Sequence, residues 1–323
     1  MAALRNVLIT SAAAKIPLVR AFRAALGGEA KVLTADCAES CPAAQESDGF
    51  VQLKRTDEPG ALEQLLAVCG ARGVALIVPT RDGELPFFAA HRPLFEEKGV
   101  RVLVPSPETV RACQDKRDFT RMLERYGYPS IPILDPADPA LEFPMFARPV
   151  TGSAGKGARR INTKAELASL GPDDLLHPFV EAPELTVDLL MDLDGGRPVQ
   201  AVARERVLVV AGESKVTRVV DAPKAMRVAM RLGAALGLVG HNTVQAFLHP
   251  EVGPLLIEIN PRFGGASALS IAAGLDSPRR LLQMLAGDED AFTPRPIDSG
   301  ATLYRTDHDT IVPGSGVPGV AVS

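Results

Sequence analysis

Between residues 6 and 104, four short apolar runs alternate with longer amphipathic stretches: Asn6–Thr10 (NVLIT), Lys31–Ala35 (KVLTA), Ala75–Pro79 (ALIVP) and Val100–Val104 (VRVLV). Five-residue apolar runs separated by helix-length patterns read as strands joined by helical crossovers, which imposes a parallel sheet. Ser11 precedes the first helical stretch as a start signal, and Gly27-Gly28 closes it. Thr10-Ser11-Ala12 occupies the first strand-to-helix turn, where a dinucleotide-binding fold carries G-x-G-x-x-G. Those glycines are absent, so the sequence argues against a dehydrogenase built on that turn.

The pattern changes beyond Pro105. A helix over Asp115–Tyr126 runs into the Pro-rich PSIPILDPADP and a strand at Phe143–Pro149, so a new domain is expected here. After the helix-like TKAELASL come alternating runs, LTVDLLMD and PVQAVARERVLVVAG, joined at Asp194-Gly195-Gly196, the signature of an antiparallel sheet. A helix over Ala222–Leu236, closed by Gly237, and a hairpin, TVQAFLHPEVGPLLIEI, follow; the last ~30 residues read as loop with one strand. The fold class is therefore α/β plus α+β, with no internal repeat. The length of 323 residues suits two packed units, or three if one is small.

Charge narrows the partners. The 35 basic and 39 acidic residues leave a net −4, no Lys/Arg run stands out, there is no Trp, and only three Tyr occur, so neither nucleic acid nor an anionic membrane has a footprint. Four cysteines without a C-x-x-C pair read as reduced thiols. The start MAALRNVLIT lacks a leader pattern and no 18-residue apolar window occurs, which places the expected location in the cytoplasm.

The chemistry concentrates in Asn242–Ser267. Period two in LLIEIN puts Glu258 and Asn260 on one face, and the HPEVGP turn lets Gln245 reach that face from the neighbouring strand. Carboxylate and amide oxygens without His or Cys are hard ligands suited to Mg2+, which completes its shell with water or phosphate oxygens. Arg262 offers a fork of donors for phosphate, and Gly264-Gly265 permits close backbone approach. The bland alternative is a charge on the solvated face of an edge strand. In TGSAGKGA, the glycines free the backbone to wrap oxygens and Lys156 adds a mobile charge; the spacing is wrong for a Walker A loop, leaving a glycine-rich lid or a plain surface loop. Thr80, Arg81, Asp82 and Glu84 follow a parallel-strand C-terminus, the edge where α/β sheets place ligands, and are candidates for an acceptor site. Arg204 and Arg206 share a strand face, with Lys215 expected on the following turn; they suit phosphate or a substrate carboxylate, though surface charges would look the same. His177 reads as packed or exposed rather than catalytic.

These segments, in this order, resemble the ATP-grasp superfamily over roughly residues 1–310, and NPRFGGASALSIAAG is similar to carbamoyl-phosphate synthase large-subunit domains. The resemblance implies an ATP-grasp fold: an N-terminal parallel-sheet domain over 1–112, a small lid over 113–178 and an antiparallel catalytic part over 179–323. It implies ATP and two Mg2+, with Mn2+ able to substitute, Gln245 and Glu258 holding one ion and Glu258 and Asn260 the second. Asp115-Lys116 resembles the start of the lid, where Lys116 contacts phosphate. FPMFARPVTGSAGKGARRI resembles the lid strand and loop, which assigns Arg148, Gly152, Ser153, Gly155, Lys156 and Gly157 to nucleotide. LLHPFVEAPELTVDLL resembles the adenine hinge, with Pro178, Phe179, Val180 and Glu184 at the base and ribose; a proline at 178 departs from the usual acidic residue there. PTRDGELPFFA and RERVLVVAGES, with Lys215, resemble stand-alone ligases of the superfamily, adding Thr80, Arg81, Asp82, Glu84, Arg204, Arg206 and Lys215 as substrate or phosphate contacts, while the loop at Gly264 and Gly265 is expected to shape substrate specificity. Arg262 and Lys156 are implied as the catalytic cations. The implied reaction joins a small-molecule carboxylate to an amine through an acyl phosphate; the sequence leaves the oligomeric state open, a homodimer being the commonest prior. The alternatives are phosphorylation of bicarbonate or carbamate, and a nucleotide-binding regulatory subunit without chemistry.

Overall fold

A computed structural model describes residues 5–13, 15–152, 155–210 and 212–306. The first sheet is parallel, with order β3-β2-β1-β4-β5 built from β1 (Asn6–Thr10), β2 (Val32–Asp36), β3 (Gly49–Gln52), β4 (Val74–Pro79) and β5 (Arg101–Val102). Period two divides its faces. Val7 and Ile9 pack with Val19 and Phe22 of α1 (Ile16–Leu26), whereas Leu8 and Ile77 pack with Leu65 of α2 (Ala61–Ala71) and Phe88 of α3 (Leu85–Glu97). The edge strand β3 was not anticipated, because GFVQ is short and only partly buried.

Helix α1 starts later than Ser11 suggests. Ser11 instead has φ 48° and its hydroxyl donates to Glu84 Oε2 at 2.8 Å; Lys15 is the N-cap residue, with no side-chain cap. The far end follows the glycine signal, Gly27 being left-handed with its N–H on Arg23 O. Two helices, α4 (Pro107–Gln114) and α5 (Lys116–Arg125), lead away from the sheet, and Asp115 caps α5 by accepting from the N–H groups of Arg117 and Asp118.

A small antiparallel sheet, order β7-β6-β8, comprises β6 (Met145–Pro149), β7 (Arg159–Ile161) and β8 (Asp174–Pro178) over a core of Met145, Ala147, Ile161 and Leu176. TKAELASL forms only a 3₁₀ stretch, Lys164–Ser169. The largest sheet has order β13-β12-β9-β10-β11-β14: β9 (Glu184–Met191), β10 (Pro198–Val210), β11 (Glu213–Val220), β12 (His241–His249), β13 (Gly253–Asn260) and β14 (Thr302–Tyr304). Its pairs are antiparallel. Leu185, Val187 and Leu189 face α6 (Pro223–Ala235), while Leu190, Val202 and Val219 belong to the core that also holds α1. The parallel and antiparallel sheets therefore share one hydrophobic core. The chain closes with α7 (Ser267–Ser270) and α8 (Ser277–Leu285), which packs on α1. No described helix is long and apolar enough to cross a membrane.

Candidate active site

The β12–β13 hairpin forms one wall of a cleft of about 640 Å³ that also touches the small sheet and the loops beside β1. Its register pairs Gln245 with Glu258 and Thr243 with Asn260, with a bulge between Gln245 and Ala246. Directly opposed residues share a face, so Gln245, Glu258 and Asn260 all line the cleft. Asn260 Nδ2 donates to Glu258 Oε1 at 3.1 Å. Among the described residues no three His, Cys, Asp or Glu side chains gather into a metal cluster. One carboxylate and two amides suit a hard divalent ion that takes its remaining ligands from water or phosphate, and fit poorly with a closed all-protein metal cage.

Cations face this wall. Lys116 Nζ donates to Gly152 O at 3.1 Å; burial lowers its amine pKa, and the nearby Glu258 carboxylate opposes that shift. Arg148 is buried; its Nε donates to His177 Nε2 at 3.1 Å and its Nη1 to Ile257 O at 3.3 Å. Burial, and then the Arg148 charge, push His177 down to about 4. His177 is therefore neutral, with Nε2 accepting from Arg148 and Nδ1 carrying the proton toward Pro132 O at 2.9 Å. It is packed, as expected, and it positions Arg148. Gly152, Gly155 and Lys156 line the cleft, whereas Gly157 does not; its φ of +78° shapes the loop, and a Cβ there would lie 2.8 Å from Pro149 Cγ. Ser153 lies outside the described residues. Pro178, Phe179, Val180 and Glu184 also line the cleft, with the Arg160 guanidinium 4.4 Å above the Phe179 ring.

Other expected residues are engaged differently. The Thr80 hydroxyl donates to Thr10 O and Ser11 O at 3.0 and 2.8 Å, and Glu84 accepts from the N–H groups of Thr80 and Arg81 at 2.7 and 3.1 Å. Both side chains are buried, burial raising the Glu84 carboxyl, and they tie the β1 and β4 ends together instead of lining the cleft. Arg81 is exposed and outside the cleft lining. Asp82 holds Arg262 in a two-point ion pair, Nε to Oδ1 at 2.7 Å and Nη2 to Oδ2 at 2.5 Å, so the guanidinium fork expected for phosphate is committed. Arg262 still lines the cleft, as do Gly264 and Gly265. Arg206 pairs with Glu184. Lys215 sits within β11, not on a turn, and pairs with Glu213 at 3.5 Å outside the cleft lining.

Sequence reasoning missed the support beneath the cleft. Asp188 on β9 is 0% exposed and accepts from Arg204 Nε at 2.8 Å, Ser270 Oγ at 2.5 Å, and Thr243 Oγ1 and Ser267 Oγ at 3.2 Å. Burial pushes its carboxyl up, but Arg204 and His241 together outweigh that and hold it well below the usual range. Ser267 Oγ also accepts from Gly264 N–H at 2.8 Å, and His241 stacks on Phe263 at 4.2 Å, so the hub anchors the 262–267 loop. An Asp at an inward position of a mostly apolar strand, LTVDLL, was the available signal. Lys15 and Arg305 also line the cleft without having been singled out.

Two families match separate stretches: residues 7–103 match the family described as PylC-like, N-terminal domain, and residues 171–306 the one described as ATP-grasp in the biosynthetic pathway with Ter operon. The chain is 26% identical over 273 residues to 3-methyl-D-ornithine–L-lysine ligase of Methanosarcina mazei, covering 83% of this chain and 69% of that one. It is 26% identical over 233 residues to the carbamoyl phosphate synthase large chain of Deinococcus radiodurans, covering 64% of this chain. It spans only 22% of that synthase chain's length. In fold it is similar to N5-carboxyaminoimidazole synthetase from Staphylococcus aureus, crystallised with ADP, at a TM-score of 0.68 and 17% identity, covering 91% of this chain and 79% of that one.

Proposed function

We propose that this chain, an ATP-grasp protein, is an ATP- and Mg2+-dependent ligase that activates a small-molecule carboxylate as an acyl phosphate and couples it to an amine. The observation that carries the reading is the convergence of Gln245, Glu258 and Asn260 with Lys116, Arg148, Lys156 and Arg262 on one cleft. Oxygen donors on one wall and cations around them are what a metal-bound triphosphate requires. The chain's similarity to a ligase that acts on two amino acids supports the carboxylate and amine assignment over bicarbonate chemistry.

Glu258, Gln245 and Asn260 would hold the metal, which when bound neutralises phosphate charge and aligns the transferred group. Lys116, Arg148 and Lys156 would bind the phosphate chain, with His177 fixing Arg148 from behind. Phe179 and Val180 would receive the adenine through the backbone: the Val180 N–H makes no hydrogen bond to a described residue and is free to donate to a ring nitrogen. A substrate carboxylate oxygen then attacks the γ-phosphorus and ADP leaves. The amine next attacks the acyl carbon and expels phosphate. Arg262, whose fork Asp82 holds, would add only a tempered positive potential beside Asn260. Because the cations and metal supply the electrostatics, no strong general base is needed for an amine attacking an acyl phosphate.

The direct test is ADP release across pools of carboxylic acids and amino acids with hydroxylamine present. A trapped hydroxamate identifies both the acyl phosphate and the acid that formed it. ADP release that depends on an acid but never yields hydroxamate, with the amide product also absent, would remove the proposed intermediate.

A further inference from the structure

In the order β3-β2-β1-β4-β5, the chain runs outward from β1 on one side and resumes at β4 on the other, so the switch point lies between the C-terminal ends of β1 and β4, which Thr80 and Glu84 tie together. Open α/β sheets bind ligands at such a switch point. Beside that junction, Lys15, in the segment between β1 and α1, lines the cleft, and Asp82, following β4, holds Arg262 of the same lining.

Lys15 is half-buried and lines the cleft, yet its ammonium makes no hydrogen bond or ion pair with any described residue. The two guanidinium groups whose charges act on it are both matched, Arg262 with Asp82 and Arg305 with Glu213 at 3.3 Å. Burial, and then the charge of Arg262, lower the Lys15 amine pKa below the usual lysine value, while Asp82 and Glu213 only partly offset this. The residue also stands at the N-terminus of α1, where the backbone adds positive potential and no side chain caps the helix. A desolvated ammonium at a positive helix end, beside guanidiniums that already have partners, lacks one negative charge.

Resting on the ligase reading above, we infer that Lys15 is a specificity-determining residue that binds a carboxylate of the substrate which does not react. The substrate taken at this end is then an acid with a second anionic group or an amino acid whose carboxylate is spared, and not a simple monofunctional acid or amine.

The test uses the full chain and a defined panel, the twenty common L-amino acids and the C3–C6 dicarboxylic acids, each with its mono-amide or α-amide. Binding is measured calorimetrically with Mg-ADP present, on wild type, Lys15→Met and Lys15→Arg. At least one acid should bind wild type at least tenfold more tightly than its amide. Lys15→Met should lose about tenfold or more for that acid and cease to distinguish it from its amide, and Lys15→Arg should recover most of the difference. A Lys15→Met protein that still prefers the acid over the amide overturns the inference, as does a panel from which no acid binds wild type up to 20 mM. Mg-ADP binding to wild type alone separates the two claims: its loss removes the nucleotide reading, whereas Lys15-dependent acid binding stands or falls independently.

Discussion

Replacing Asp188 by Asn keeps the shape of the side chain and removes its charge. In the wild type this carboxylate receives an N–H from Arg204 and hydroxyls from Thr243, Ser267 and Ser270, all at 2.5–3.2 Å, on two oxygens. The amide offers one oxygen, and its NH2 must face groups that now donate. Arg204, only 3% exposed, is left without a counter-charge. Stranding a buried charge costs about 3–5 kcal/mol. At roughly 1.5 °C per kcal/mol for a chain of 323 residues, Tm should fall by roughly 4–8 °C. Urea denaturation at neutral pH and thermal melting measure this directly. Asp188→Asn and Arg204→Met should show a coupling energy of at least ~1 kcal/mol in a double-mutant cycle, because removing the arginine relieves part of the damage. A variant within about 1 kcal/mol of wild type, or a coupling near zero, would refute the view that this ion pair supports the cleft.

Three further outcomes are expected. Glu258→Gln should abolish ATP turnover while leaving the melting curve within a few degrees of wild type, because the side chain is only partly buried and the role proposed for it is charge toward a metal; full turnover in the folded variant would falsify the metal assignment. His177 should make the fold acid-sensitive. Its folded pKa of about 4 lies below the ordinary 6.5, so the unfolded chain binds the proton first and stability falls as pH drops from about 6.5 to 4, by up to ~3 kcal/mol; urea midpoints across that window should flatten in His177→Asn, and an unchanged slope would count against a neutral His177. Gly264→Ala would place a Cβ 2.8 Å from Thr243 Oγ1 and 3.3 Å from Ser267 Oγ, so about 1–3 kcal/mol of stability should be lost along with nucleotide-dependent activity; equal stability by urea denaturation would show that the loop relaxes freely.

Local pattern determined a good deal. Apolar runs five residues long between amphipathic stretches sufficed for the parallel sheet, since strands buried on both faces cannot be read as anything exposed. Period two and a short turn were enough to put Gln245 opposite Glu258, because a hairpin register is a local property. What remained hidden involved partners far apart in the chain. Nothing local distinguishes an Asp82 that contacts substrate from one that grips Arg262, 180 residues away, or a Glu84 that lines a cleft from one that ties two strand ends together. Asp188 stands out in its strand as an acid at an inward position, but its partners Arg204, Thr243, Ser267 and Ser270 came onto its two oxygens only through burial. Hydrogen-bond and charge satisfaction is settled only when distant segments are desolvated together, and that is why the role of each charged residue, unlike the type of each element, was decided by the tertiary structure.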